Sequence, residues 1–310
     1  MKKEVIAHKN PKSPISEVFR TLRTNIQFMN VNKKMKTLVV TSTFPGEGKS
    51  WVASNLAVTF AQAGKKVVLI DADMRKGRQY AIFGVSPRPG LSNFLSQAEI
   101  DKEGKVSEDV RNYIKETEIE NLYLIPSGNV PPNPSELLVS AQMLGLLNSL
   151  KELCDLIIID GTPSELVTDS VILSRIVDYT LIVTAHKITK KDALERVVKN
   201  IKNVGGNIAG VVINRVPISA KRYGDKYYYY GEDKFLPGKK KKHSNDNGKE
   251  KNENGTYEIE KQKEDNNEKW YAIEPQETSD NMEENDISLN KTNDILKQIN
   301  DYLDNEKKDL

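Results

Sequence analysis

A ten-residue stretch, Thr41-Ser-Thr-Phe-Pro-Gly-Glu-Gly-Lys-Ser50, has the residue types needed to hold a polyphosphate. Gly46 and Gly48 let the backbone turn so that successive N–H groups converge on an anion. Lys49 adds a point charge, and the Ser50 hydroxyl is a ligand for Mg²⁺. The stretch fits the pattern G-x-x-x-x-G-K-[ST] strictly only at Gly48, Lys49 and Ser50, because Thr43 takes the first position, where glycine is commonest, and Trp51 follows. The nucleotide-contacting set read from it is Thr43, Pro45, Gly46, Glu47, Gly48, Lys49, Ser50 and Trp51. The implied ligand is a nucleoside triphosphate with its magnesium ion, ATP and Mg²⁺ being the expected pair.

Two apolar runs stop at carboxylates: Val67-Val-Leu-Ile-Asp71-Ala-Asp73-Met-Arg75 and Leu156-Ile-Ile-Ile-Asp160-Gly-Thr-Pro163. Runs of this kind are strands buried on both faces of a parallel sheet. Ligands of open α/β sheets lie beyond the carboxyl ends of the strands, so Asp71, Asp73 and Asp160 can converge on the phosphates and metal held by the loop. One such aspartate alone is ordinarily a cap or a turn former; three beside a lysine loop are not. Asn214 closes the last strand, where a turn-forming Asn would serve.

These residues need a scaffold. Strands are expected at Thr37–Thr41, Val67–Asp71, Leu122–Ile125, Leu156–Asp160, Thr180–Thr184 and Ile208–Asn214. Helices are expected at Ile15–Met29, Val52–Ala63, Ser135–Leu150, Asp169–Ile176 and Lys190–Val204; residues 96–120 are polar and ambiguous. Strand alternating with helix defines an α/β fold, a doubly wound and mostly parallel sheet with helices on both faces, of the P-loop NTPase type.

The loop, the Asp71-x-Asp73-x-Arg75 strand end and the Asp160-x-x-Pro163 strand end together resemble the bacterial tyrosine kinases that control capsule and exopolysaccharide export. Three further segments agree with the resemblance, which covers about residues 14 to 230. Glu17, Arg20 and Arg23 look like the family's oligomerisation helix, Ser127-Gly-Asn-Val-Pro-Pro-Asn-Pro-Ser-Glu-Leu-Leu138 like its Pro-rich segment, and Tyr223 with Tyr227, Tyr228, Tyr229 and Tyr230 like its terminal tyrosine cluster. One departure is visible: Gly161-Thr162 stands where the family usually has Thr-Pro.

The resemblance implies an ATP-dependent protein-tyrosine kinase that phosphorylates its own tyrosine cluster between subunits. Lys49, Asp71 and Asp73 would be catalytic, with Ser50, Asp73 and Asp160 toward the metal and Asn214 at a position where related ATPases contact adenine; which of Asp71 and Asp73 is the base stays open. It also implies a ring-like homo-oligomer, a transmembrane activator of the polysaccharide co-polymerase type, a cognate tyrosine phosphatase, and a cytoplasmic chain held at the membrane through that partner. It implies no nucleic acid. Alone, Glu17, Arg20 and Arg23 would be surface pairs on one helical face, and Arg75 a structural salt bridge. Partition or division-site ATPases share these strand ends, but they add a second lysine where Phe44 stands and lack the tyrosine run. A nucleotide-binding scaffold without kinase chemistry is a further alternative.

In 310 residues with 37% apolar content there is material for one substantial α/β domain. The formal charge of +2 hides a division: residues 231–310 hold 14 Lys+Arg and 21 Asp+Glu, net −7, which leaves net +9 for the rest. A lone cysteine, Cys154, excludes a disulfide framework and reads as a small buried residue. There is no apolar stretch of membrane-spanning length, and the Lys-rich start lacks the apolar core of a secretory signal. The organisation expected is a flexible arm over 1–13, a kinase domain over 14–221, the tyrosine cluster over 222–231, a disordered charged tail over 232–285, and a possible amphipathic helix over 286–310.

Overall fold

The computed structural model describes residues 5–29, 35–101 and 106–217. The tyrosine cluster, the charged tail and the terminal amphipathic stripe lie outside the described residues. In chain order the elements are α1 (Ile6–Lys9), α2 (Pro14–Phe28), β1 (Thr37–Ser42), α3 (Lys49–Gln62), β2 (Val67–Asp71), α4 (Gln79–Phe83) and α5 (Leu91–Gln97). There follow a 3₁₀ turn (Val110–Tyr113), β3 (Lys115–Glu116), β4 (Leu122–Ile125), α6 (Pro134–Val139), α7 (Ala141–Leu153), β5 (Leu156–Pro163), α8 (Asp169–Ile176), β6 (Tyr179–Ala185), α9 (Lys191–Asn203) and β7 (Ile208–Asn214).

The strands form one sheet in the order β3-β4-β2-β5-β1-β6-β7, parallel throughout except for the antiparallel edge pair β3–β4. Because side chains alternate across a strand, each strand feeds two cores. Leu38, Val40, Leu69, Ile158 and Val183 face α1, α2 and α3, where they meet Phe19, Ile26, Leu56 and Phe60. Val39, Ile70, Ile157 and Ile159 face the other way, onto Leu91, Phe94, Met143, Leu146 and Leu173 of α5, α7 and α8. A third cluster seats α9, through Leu194, Val197, Val198 and Ile201, on Ile182. Strands covered on both sides are apolar along most of their length, as Leu38–Val40, Val67–Ile70 and Leu156–Ile159 are.

The structure departs from the sequence reading in three places. Residues 5–13 are not a loose arm: Ala7 is buried, its N–H donates to Asn55 Oδ1 at 2.9 Å, and its carbonyl accepts from Gln62 Nε2 at 3.0 Å. Two polar side chains of α3 thus satisfy the backbone of α1, which no local pattern announces. The helix expected at Ser135–Leu150 is two helices, because extended Ser140 (φ −64°, ψ 156°) ends α6 and caps α7 by accepting from Met143 N–H. The ambiguous span, 96–120, contributes the last residues of α5, the 3₁₀ turn and the short edge strand β3. Cys154 is buried as expected, and burial pushes its thiol up to about 11.

Candidate active site

The sheet order places the carboxyl ends of β2, β5 and β1 side by side, and in the β2–β5 register Asp71 pairs with Asp160. Two carboxylates on adjacent strands at one level are therefore forced close by the backbone. The loop after β1 wraps over them. Gly46 and Gly48 have φ of +85° and +103°, and a Cβ on Gly48 would stand 2.2 Å from Asn214 Nδ2, so that position accepts glycine alone. Gly48 also caps α3, whose free N–H groups and positive dipole end open onto a cleft of about 340 Å³ lined by Pro45, Lys49, Ser50, Asp73, Arg78 and Thr162. We expect Gly48→Ala to weaken binding of a fluorescent ATP analogue by at least about tenfold, since even the left-handed strain costs roughly 1–2 kcal/mol. Equal affinity in an equilibrium titration would contradict the geometry.

Lys49 Nζ stands 3.1 Å from Asp73 Oδ2, 3.5 Å from Asp160 Oδ1 and 3.2 Å from Ser50 Oγ. Burial by itself works against its charge, but Asp160, then Asp73 and Asp71, together hold its proton affinity above the ordinary lysine value. Asp73 Oδ1 accepts from the Lys76 N–H at 2.9 Å. Asp71 is wholly buried; its Oδ2 accepts from the N–H groups of Arg78 (2.8 Å) and Gln79 (2.9 Å), while Oδ1 has no hydrogen-bond partner. Burial first, and the charge of Asp160 second, push Asp71 up to about 8 against the pull of Gln79 and Lys49.

The rest of the sequence-predicted set divides. Glu47 is buried: Oε2 accepts from Phe44 N–H at 2.8 Å, and Oε1 accepts from Thr189, so its carboxylate braces the loop and leaves the backbone to face a ligand. Trp51 sets its ring edge-on to Phe19 of α2, with centroids 5.1 Å apart. Thr43 is buried with its hydroxyl unpartnered. Asn214 lies against the loop, as its Nδ2 donates to Glu47 O at 2.7 Å. Arg75 reaches Asp169 at 3.1 Å and Ser135 at 3.3 Å, which is the structural salt bridge.

At the departure Gly161-Thr162, a Cβ on Gly161 would stand 2.2 Å from Ser170 Oγ, which holds both the N–H and the carbonyl of Thr162 at 2.7 Å. Ser170 thus fills the space that a larger residue at 161 would need. Away from the cleft, on α2, Arg20 pairs with Glu17, and Arg23 Nη1 donates to Thr59 O at 2.9 Å. Sequence reasoning missed Gln79, a buried amide among these carboxylates.

The donor set fits a magnesium nucleotide. Two loop glycines in the left-handed region, helix N–H groups and Lys49 suit the phosphates. Ser50, Asp73 and Asp160 supply only oxygen, as Mg²⁺ requires, and are too few to enclose it without phosphate and water. The architecture defines a P-loop nucleotide-binding domain, and a family model described as AAA domain matches residues 35–210. The tyrosine-protein kinase YwqD of Bacillus subtilis is 35% identical over 237 residues, 76% of this chain and 95% of that one. A solved chimerical protein, CapA2B2, is 38% identical with a TM-score of 0.64, covering 69% of this chain and 90% of its own. The kinase domain of the Escherichia coli tyrosine kinase ETK is 31% identical with a TM-score of 0.63, covering 71% and 84%. This chain belongs to the bacterial tyrosine-protein kinases. Kinase-domain structures favour that reading over a positioning ATPase.

Proposed function

We propose that this kinase transfers the γ-phosphoryl group of ATP to its own tyrosine cluster, Tyr223 and Tyr227–Tyr230, on a neighbouring subunit, and thereby regulates capsular or exopolysaccharide polymerisation and export. The observation that carries the reading is Lys49 gathered with three strand-end aspartates at the mouth of the phosphate loop. Such an arrangement has little covalent chemistry to do: it holds donor and acceptor in line and neutralises charge. Lys49 leaves the carboxylates and, with the loop N–H groups, holds the β- and γ-phosphates. The tyrosine oxygen bonds to the γ-phosphorus as the bond to ADP breaks, and the hydroxyl proton passes to Asp71. Its raised proton affinity favours Asp71 over Asp73, which is engaged with Lys49. Ser50, Asp73 and Asp160 would hold Mg²⁺, which supplies neutralising charge at the phosphate oxygens.

Phosphorylation between subunits needs little intrinsic affinity when the acceptor is tethered near a subunit boundary. Each phosphate adds roughly −1.5 to −2 charge, which would drive the arm out of the neighbour's site and loosen a ring. Changing Tyr223 and Tyr227–Tyr230 to Phe is expected to remove most phosphotyrosine without weakening ATP binding, and to hold the protein assembled. Phosphotyrosine at near wild-type level in an immunoblot of that variant would move the acceptors elsewhere.

Assembly is read from Glu17, Arg20 and Arg23. Replacing all three with Ala should shift the unphosphorylated protein toward monomer in sedimentation velocity, with melting followed in parallel because Arg23 also ties α2 to α3. Unchanged assembly would leave the three as intramolecular pairs. Among the described residues no helix is long and apolar enough to cross a membrane. A membrane site of action, at the cytoplasmic face, is accordingly proposed through a transmembrane activator of the polysaccharide co-polymerase type, with a tyrosine phosphatase to reset the cycle.

A further inference from the structure

Gln79 opens the short helix α4 and is wholly buried. A buried amide must find partners for two N–H bonds and a carbonyl oxygen. Its Nε2 donates to Asp160 Oδ2 at 2.8 Å and to the Ser50 carbonyl at 3.1 Å, and its Oε1 lies 2.8 Å from Ser54 Oγ, whose single hydrogen is shared between that oxygen and the Ser50 carbonyl at 2.6 Å. The reverse orientation would press the amide oxygen against two acceptors, so the surroundings allow one arrangement. Its backbone N–H donates to Asp71 Oδ2. Each of the paired carboxylates is therefore tied by Oδ2 to residue 79 and left with an Oδ1 that has no hydrogen-bond partner. Ser50 and Ser54 belong to the first turns of α3, directly behind the phosphate loop.

We propose that Gln79 is a positioning residue for phosphoryl transfer, fixing Asp71 and Asp160 against each other and against the helix that carries the loop. The inference rests on the roles given above to those two aspartates. Without the amide, Asp160 keeps its Oδ1 beside Lys49 but loses the contact that fixes Oδ2, and the relation between the strand ends and the loop is set by backbone alone. The loop N–H groups and Lys49 are untouched, so nucleotide affinity is kept. The loss falls on turnover, where a displacement near 1 Å can cost about 100-fold.

The test measures phosphotyrosine formation by wild type, Gln79→Leu, Ser54→Ala and the double variant, with Lys49→Met as the dead control. Equilibrium binding of a fluorescent ATP analogue without metal, and melting of each protein, are followed beside it. Gln79→Leu is expected to lower kcat about 10- to 100-fold with KM for ATP and analogue affinity within about threefold. Ser54→Ala, which frees the amide oxygen at a distance from the phosphates, should lower kcat about threefold or more, and should add nothing to Gln79→Leu. A kcat within threefold of wild type in Gln79→Leu, equal losses of kcat and analogue affinity, or full additivity of the two changes would overturn the role. If Gln79→Leu does not fold, Ser54→Ala decides: unchanged kcat overturns it. No phosphotyrosine from the wild-type chain overturns the proposed function itself, a result separate from an active wild type that tolerates Gln79→Leu.

Discussion

Lys49→Met is expected to lower phosphotyrosine formation by at least about 100-fold, the loss that follows removal of one charged or hydrogen-bonding group from a site where charge develops. The reason is double. Methionine keeps the length of the side chain but cannot neutralise phosphate oxygens, and it also exposes the phosphates to the aspartates that Lys49 now screens. Three carboxylates lose their cation in a buried place, which ordinarily destabilises a protein by several kcal/mol. Here proton uptake by Asp71, already at about 8, softens that cost. We therefore expect a folded variant with a lower melting temperature, checked by circular dichroism, and with weakened ATP binding. Wild-type labelling in this variant would remove Lys49 from the chemistry.

Asp71→Asn is expected to separate binding from transfer. An amide in this place accepts the N–H groups of Arg78 and Gln79 through its oxygen, as Asp71 Oδ2 does now, and the fold and the phosphate loop remain. It cannot take up a proton, and general-base catalysis contributes about 10²- to 10⁴-fold. Phosphotyrosine formation should fall by that factor while affinity for an ATP analogue changes by less than about threefold. The same substitution at Asp73 should instead weaken Mg²⁺ binding, read as a higher metal concentration for half-maximal rate. If Asp73→Asn loses transfer with normal metal dependence and Asp71→Asn does not, the two roles are reversed.

Much of this was legible because strand burial is written locally. Val67–Ile70 and Leu156–Ile159 are apolar at every position, so their burial within the sheet and the carboxylates at their ends follow from the pattern alone. The loop was legible because Gly48-Lys49-Ser50 is a chemical requirement rather than a packing solution. Gln79 was not legible: it follows Arg75-Lys-Gly-Arg78, a context that reads as exposed loop, and its burial arises from Ser54, 25 residues earlier, and Asp160, 81 residues later. The docking of Ala7 on Asn55 and Gln62 is of the same kind. The packing of the Trp51 ring was not legible either, because its position in the motif says nothing of the aromatic partner that α2 brings to it.

The most direct test of the account is to incubate the purified full chain with ATP and Mg²⁺, with and without the cytoplasmic segment of a candidate activator, and to map modified tyrosines by mass spectrometry. The account predicts phosphate on Tyr227–Tyr230, with Tyr223 as a lesser site, and none in the Lys49→Met protein. Absence of phosphotyrosine under both conditions, or label confined to Tyr257, Tyr271 and Tyr302, would contradict it.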